Sequence, residues 1–285
     1  MAAKKISRRT FLIGGGLTFI SYLFFQLESV AVTKYMVQVK NLPSSFSGFT
    51  ILHLTDLHSK EYGNNQKRLI NLINRFEFDL VAVTGDMVDQ YNPEVFPAVR
   101  LIQGLPKNKP VYFVSGNHDW WTENIILEPL LSEGVHIIEN SNQKLTRGDQ
   151  HVWIMGVDDP YLGKDNLDLA LEGTGDLSPK LLLAHAPNIF SSAVQSKVDL
   201  VMAGHTHGGQ VRLPFLGAII APGQGFFPEF DYGLFSSDNT TMIINGGLGE
   251  SVLPVRFFNR PEIVLITLEV AGDRKSELRN RPLTH

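Results

Sequence analysis

Two imidazoles one residue apart stand in Gly204-His205-Thr206-His207-Gly208-Gly209, directly after the apolar run 199–203. The bracketing glycines let the backbone turn tightly and approach an ion or substrate closely. Read as an extended continuation of the run, positions i and i+2 share a face, which sends His205 and His207 into one cleft. Neutral imidazoles placed there bind divalent metals or line a polar loop. Four more polar clusters accompany them: Asp56-Leu57-His58, Gly85-Asp86, Gly116-Asn117-His118-Asp119 and His185-Ala186-Pro187. Five of the nine histidines fall in this set. Each cluster alone has a plain explanation: a capping aspartate, an Asx turn, a left-handed asparagine, a hydrogen-bonded core histidine. Together they form a donor set of carboxylate, amide and imidazole, suited to Mn, Fe, Co or Zn rather than Cu(I).

The elements that must position these side chains alternate. Apolar, β-branched runs at 49–55, 79–84 and 110–114 read as strands, the second buried on both faces. Helical spacing follows each: 66–76 through Leu69, Leu72, Ile73 and Phe76; a helix capped by Asn92 with Pro93 in its first turn; and 123–132 through Ile126, Leu127, Leu130 and Leu131. Strand candidates then dominate at 152–157, 180–183, 200–203, 242–245 and 263–270, with 35–39 opening the mature chain. Alternating strand and helix is the α/β pattern, whose sites gather at the carboxyl ends of strands. Each polar cluster above sits at such an end.

The five clusters, in this order, resemble the signature of the calcineurin-like metallophosphoesterase superfamily: D-x-H, G-D, G-N-H-D/E, H and G-H-x-H. The resemblance implies a βαβ sandwich of two mixed sheets flanked by helices, holding two divalent metal ions. It assigns Asp56, His58, Asp86 and His207 to one ion, and Asp86, Asn117, His185 and His205 to the other, with the Asp86 carboxylate bridging. It implies hydrolysis of a phosphoester by in-line attack of a hydroxide shared by the ions. His118 is then not a ligand but contacts a phosphate oxygen or protonates the leaving group. Asp119 orients it, or simply starts a helix. Some relatives keep this fold as a non-catalytic binding scaffold; such members lose ligands, and none is missing here.

Substrate signals are weaker. Trp120 could stack on a base, pack against an acyl chain or cover the core. Arg212 and Arg256 could meet a phosphate or close structural ion pairs. Phosphomonoesters, phosphodiesters, cell-wall phosphoesters and a lipid-linked nucleotide sugar pyrophosphate such as UDP-diacylglucosamine, an activity of relatives, all remain open. An apolar groove near Trp120 and Phe226-Phe227 would favour the lipid-linked case.

Composition is that of a globular chain: 285 residues, 43% hydrophobic, formal net charge −4, no cysteine. That excludes thiolate chemistry and disulfides, and offers no basic face for nucleic acid. Lys4, Lys5, Arg8 and Arg9 precede an apolar run over 12–27. Ser7-Arg8-Arg9-Thr10-Phe11-Leu12 resembles a twin-arginine signal, and Ser29-Val30-Ala31 offers a cleavage site. The expected organisation is 1–31 as a signal peptide or retained membrane anchor, 32–272 as one phosphoesterase domain and 273–285 as a loose tail. The expected partners are the twin-arginine translocase and a membrane, and the expected location is the cell envelope.

Overall fold

A computed structural model describes residues 7–175, 177–213, 215–250 and 255–272; the expected tail lies outside them. Helix α1 (Arg8–Glu28) precedes β1 (Ala31–Val39), β2 (Thr50–Leu54), α2 (Lys67–Ile73), β3 (Leu80–Val83), α3 (Phe96–Gln103), β4 (Val111–Phe113), α4 (Asn117–Trp121), α5 (Leu127–Ser132) and β5 (His136–Ile137). The second half contributes β6 (Ser141–Arg147), β7 (Gln150–Gly156), α6 (Leu167–Leu171), β8 (Lys180–Leu183), α7 (Phe190–Gln195) and β9 (Leu200–Ala203). Two short hairpins, β10 (Arg212–Leu213) with β11 (Gly217–Ala218) and β12 (Ile220–Ala221) with β13 (Gly225–Phe226), lead to β14 (Gly233–Ser237), β15 (Thr240–Ile244) and β16 (Glu262–Val270).

These strands build two six-stranded mixed sheets, ordered β1-β16-β2-β3-β4-β5 and β14-β15-β9-β8-β7-β6. The strands β2 to β5 run parallel, as do β7, β8, β9 and β15. Period-two alternation within buried strands assigns one set of side chains to each face. Leu80 and Ala82 of β3 meet Leu181 and Leu183 of β8 in the core between the sheets. Val81 and Val83 face outward onto Leu69 and Ile73 of α2 and Ala98 and Leu101 of α3. Leu182 and Val201 do the same against Ala170 of α6 and Phe190 and Ala193 of α7. The expected fold, two mixed sheets flanked by helices, is therefore the observed one.

Boundaries differ in two helices. The helix expected to start at Asn92 and Pro93 begins at Phe96, because Pro97 occupies its first turn; Asn92 is no cap, and the buried face is Ala98, Leu101 and Ile102. The helix expected from Glu123 begins at Leu127, since Glu123 and Asn124 take positive φ and end α4 instead. The strand expected from Tyr35 starts earlier, at Ala31, which pairs with Glu262. No helix among the described residues is long and apolar enough to cross a membrane.

Candidate metal centre

The carboxyl ends of β2, β3, β4, β8 and β9 converge where the two sheets meet. The seven residues Asp56, His58, Asp86, Asn117, His185, His205 and His207 are brought together there, and all are buried. His58 Nε2 lies 3.1 Å from His207 Nε2, and His185 Nε2 lies 3.1 Å from Asn117 Oδ1 and 3.2 Å from His205 Nδ1. Asp86 Oδ2 stands 3.5 Å from His58 Nε2 and 3.3 Å from His185 Nε2, so one carboxylate faces both groups. Three sets of donor atoms close enough to share an ion result: Asp56, His58 and His207; Asp86, His185 and His205; and His58, Asp86 and His118.

The expected route to this convergence is not the observed one. His205 and His207 are not on an extended segment. Both take positive φ, 69° and 51°, and His207 opens a 3₁₀ turn. Asp56, His58 and Asp86 are also left-handed. Each such residue costs on the order of 1–3 kcal/mol and persists only where the surroundings over-determine it. The glycine before the pair has a steric reason. A Cβ on Gly204 would stand 2.2 Å from Thr55 Oγ1 and 2.4 Å from Asp56 Oδ2, so only glycine lets β9 close on the β2 loop.

Electrostatics prepare the cluster for cations. Burial alone would raise the Asp56 and Asp86 carboxyls; His207, His58 and His185 around the first, and His185, His58 and His118 around the second, hold both well below the usual carboxylate range. Burial holds His205 and His207 down at about 3, so both are neutral donors. His58 and His185 behave oppositely. Burial opposes their charge, yet Asp56, Asp89 and Asp86 lift His58 to about 9, and Asp86 and Asp56 lift His185 well above its ordinary value. The residues fit metal ions. Asp56 Oδ1 is buried without a hydrogen-bond partner, a cost that a cation would remove. Bonds of about 2.1 Å from one ion set neighbouring nitrogen ligands about 3.0–3.4 Å apart, the spacing found between these rings.

Ion binding must displace the protons on His58 and His185. Titration with Mn²⁺ in two buffers of different ionisation enthalpy is expected to reveal proton release, with apparent affinity rising with pH up to about 9. A binding enthalpy independent of the buffer would contradict this.

The remaining expected residues fall out differently. His118 lies at the edge of the cluster, its ring 4.4 Å from His58 and 5.1 Å from Trp121. Its Nδ1 accepts the Gln90 N–H at 3.2 Å, which leaves the proton of a neutral ring on Nε2. Burial lowers its pKa, keeping it neutral. Asp119 does not orient His118. Its carboxylate accepts the backbone N–H groups of Asp86, Met87, Val88 and Gly116, so it caps α4 and pins the Asp86 loop. Burial and the Asp86 charge push it up to about 7, against those N–H donors. The carboxylate beside His118 is Asp89, whose Oδ2 lies 3.5 Å from His118 Nδ1 and 3.3 Å from His58 Nδ1. Sequence reasoning missed it, although it stands three residues after Asp86. Replacing Asp89 with asparagine is expected to lower turnover about 10–100-fold, the usual cost of losing a carboxylate behind a metal-site histidine. Metal content, measured alongside, is expected to fall by less than turnover; an unchanged rate would remove Asp89 from the site.

Trp120 is half-buried and committed: its Nε1 donates to Asp158 at 2.7 Å and Lys164 Nζ lies 3.8 Å above its ring. Trp121, not Trp120, flanks His118. Arg212 is also occupied, donating to the Gly208 carbonyl at 2.9 Å and pairing with Asp231 at 2.8 Å. Arg256 is fully buried and donates to the carbonyls of Gly246, Gly247 and Gly249. It shapes the loop after β15, whose Gly249 N–H reaches the Asp56 carbonyl. Asp159 and Tyr161, also missed, follow β7. Asp159 is buried with Oδ2 unpartnered, and the Tyr161 ring packs 4.6 Å from His205. The rule that sites collect at strand ends would have found both.

A protein-family profile described as Calcineurin-like phosphoesterase matches residues 49–209. The chain is 30% identical over 287 residues to the uncharacterized metallophosphoesterase YkuE of Bacillus subtilis (strain 168), covering 93% of this chain and 99% of that one. It is 31% identical over 254 residues to a Danio rerio protein described as a transmembrane protein with metallophosphoesterase domain; that match covers 82% of this chain and 56% of the relative. Among solved structures, TT1561 of Thermus thermophilus aligns with a TM-score of 0.48 and 13% identity over 71% of this chain and 91% of that one.

Proposed function

The chain belongs to the calcineurin-like phosphoesterase family, a family of hydrolases, and on that premise we propose that it hydrolyses a phosphoester at a centre of two divalent ions. One ion takes Asp56, His58, Asp86 and His207; the other takes Asp86, Asn117, His185 and His205. The observation that carries the reading is Asp86 Oδ2, which stands between His58 and His185 and so serves both halves. Two such ions supply Lewis acidity and water that deprotonates near neutral pH. The chain supplies the rest. Asp119 and the left-handed backbone fix Asp86, and Asp86 Oδ1 accepts the His118 N–H at 2.8 Å, which sets α4. His118 presents Nε2–H to a phosphate or leaving-group oxygen. Asp89 stabilises whichever neighbouring imidazole carries charge.

The metal ions are Mn, Fe, Zn or Co by donor chemistry. A scaffold role fits less well, because every donor of the set is present and buried. Export through the twin-arginine route and attachment at the cell envelope are proposed from the N-terminal residues alone. Retention of α1 rather than cleavage after Ala31 is favoured by its fastening. Lys60 Nζ donates to the Leu27 carbonyl at 2.8 Å, Arg68 pairs with Glu28 at 3.0 Å, and Arg260 Nε donates to the Ser29 carbonyl at 2.8 Å.

The test is a substrate panel of p-nitrophenyl phosphate, bis-p-nitrophenyl phosphate, p-nitrophenyl phenylphosphonate and a lipid pyrophosphate, each with Mn²⁺, Zn²⁺ and Mg²⁺. Hydrolysis of at least one, dependent on metal and lost on chelation, is expected. No hydrolysis under any metal would return the chain to the scaffold reading.

A further inference from the structure

The four imidazoles of the donor set do not all face the centre the same way. His58, His185 and His207 turn Nε2 inward: His58 Nε2 and His207 Nε2 lie 3.8 and 3.4 Å from Asp56 Oδ1, and His185 Nε2 lies 3.3 Å from Asp86 Oδ2. His205 turns Nδ1 inward, 3.2 Å from His185 Nε2. A neutral ring that gives Nδ1 to an ion carries its proton on Nε2. Metal-site histidines ordinarily fix that second N–H with a carboxylate or a carbonyl. His185 follows the rule, with Nδ1 donating to the Thr84 carbonyl at 2.7 Å, and His58 sets Nδ1 3.3 Å from Asp89 Oδ2. His205 Nε2 is buried and has no hydrogen-bond partner. His207 Nδ1 has none either, but its ring packs on His58 within the donor set, 4.8 Å between centres.

Packing therefore holds the His205 ring. The outer torsion of histidine is broad and two-fold, so half a turn exchanges Nδ1 for a ring carbon and takes the donor out of the centre. Tyr161 stands against the ring, with centres 4.6 Å and planes 38° apart. The turn of the β12–β13 hairpin lies against both: a Cβ on Gly223 would stand 3.0 Å from Tyr161 Cε2 and 3.3 Å from His205 Nε2. Tyr161 is itself pinned through its backbone. Its N–H donates to Asp159 Oδ1 at 2.8 Å, the Asp159 N–H to Asp158 Oδ1 at 2.7 Å, and the Asp158 N–H to Asn140 Oδ1 at 3.0 Å. Asn188 Nδ2 donates to the Pro160 carbonyl beside it at 2.9 Å. The Tyr161 side chain is nevertheless 43% exposed, so its truncation removes the ring contact without opening the core.

We propose that Tyr161 is a positioning residue. Its ring keeps His205 turned with Nδ1 toward Asp86 and His185, whose donor atoms lie close enough to share an ion with it. Tyr161 thereby sets how tightly the ion of Asp86, Asn117, His185 and His205 is held, and it leaves the ion of Asp56, His58, Asp86 and His207 alone. This inference rests on the two-ion reading. It assigns to aromatic packing the task that a carboxylate or a carbonyl performs behind His58 and His185.

The test is a Co²⁺ titration of the metal-free full chain at one pH, followed by ligand-field absorption and by competition with a chelator. It compares the unsubstituted chain with Tyr161→Ala and Tyr161→Phe. The unsubstituted chain is expected to take up two equivalents. Tyr161→Ala is expected to bind the first with unchanged affinity and the second about 10–100-fold more weakly, the range for losing support behind a metal-site ligand. Tyr161→Phe keeps the ring and loses only the hydroxyl, and is expected to restore the second equivalent. Two equivalents at unchanged affinity in Tyr161→Ala would overturn the proposal and leave the two-ion reading standing. Equal weakening of both ions would also overturn it, because the ring would then support the whole site. So would a Tyr161→Phe variant that fails to restore the second ion, which would transfer the effect to the hydroxyl. A single equivalent in the unsubstituted chain would reject the two-ion reading itself, and this inference with it.

Discussion

Replacing Asp86 with alanine is expected to remove bound metal and at least about 10³ of the hydrolytic rate together, a barrier increase of about 4 kcal/mol or more. No other side chain in the cluster has the same position. Its Oδ2 is within 3.5 Å of both His58 and His185, and its Oδ1 takes the His118 N–H, so one truncation disconnects two groups of donors and the start of α4. The loss also strands charge. His58 and His185 owe their raised pKa values largely to carboxylates, Asp86 prominent among them, and without it both lose protons more readily. Elemental analysis of the purified variant and a p-nitrophenyl phosphate assay would read both losses, and circular dichroism would confirm that the fold survives. Asp86→Asn sharpens the comparison: it keeps an oxygen for the His118 N–H but loses the anion, so it is expected to melt near the wild-type temperature while holding metal poorly. A variant at this position with wild-type metal content and rate would sink the assignment.

How much of this was legible beforehand depends on what kind of signal each part leaves. Strands buried on both faces, such as β3, β8 and β9, leave continuous apolar runs, and their bounds were read to within a residue. The polar ends of those runs marked the site. Strand β6 leaves no such trace. Its sequence Ser141–Arg147 is polar, and it sits at a sheet edge, where Lys144 and Arg147 suit exposure and only pairing with β7 makes it a strand. Helix starts were misread for a related reason. Asn92-Pro93 and Glu123 look like starts locally, but bends and turns occupy them, and the helices form where packing against the core begins, at Val95 and Ile126.

The site shows the same division. Which residue types meet was readable; how they meet was not. Period-two logic brought His205 and His207 to one face, whereas the backbone achieves it with two left-handed residues and a 3₁₀ turn. No local propensity favours that conformation for histidine. It is imposed by contacts far away in sequence, such as Asn259 Nδ2 on the His207 carbonyl and Asp56 on the His205 N–H. Asp89 rather than Asp119 stands beside His118, because the short α4 turns Asp119 back onto its own N-terminus and leaves His118 to face the loop after Asp86.

His118→Ala is expected to separate the two functions of the site, keeping the bound metal while lowering the rate about 10²–10⁴-fold, the range for a displaced general acid. The geometry makes this a decision between two arrangements, since His118 also forms a three-residue donor set with His58 and Asp86. If that set held an ion, the variant would lose metal in proportion to activity. The hydrogen bond from Gln90 argues for the other arrangement. It occupies Nδ1 from the backbone and leaves Nε2 with a proton, a donor rather than a ligand. Leaving-group dependence separates proton donation from phosphate binding. A residue that assists departure is missed most with a poor leaving group, so the deficit in kcat should be larger for phenyl phosphate than for p-nitrophenyl phosphate. An equal deficit in kcat/KM for both esters, with metal retained, would assign His118 to holding a phosphate oxygen instead. Metal content that falls with the rate would make it a ligand.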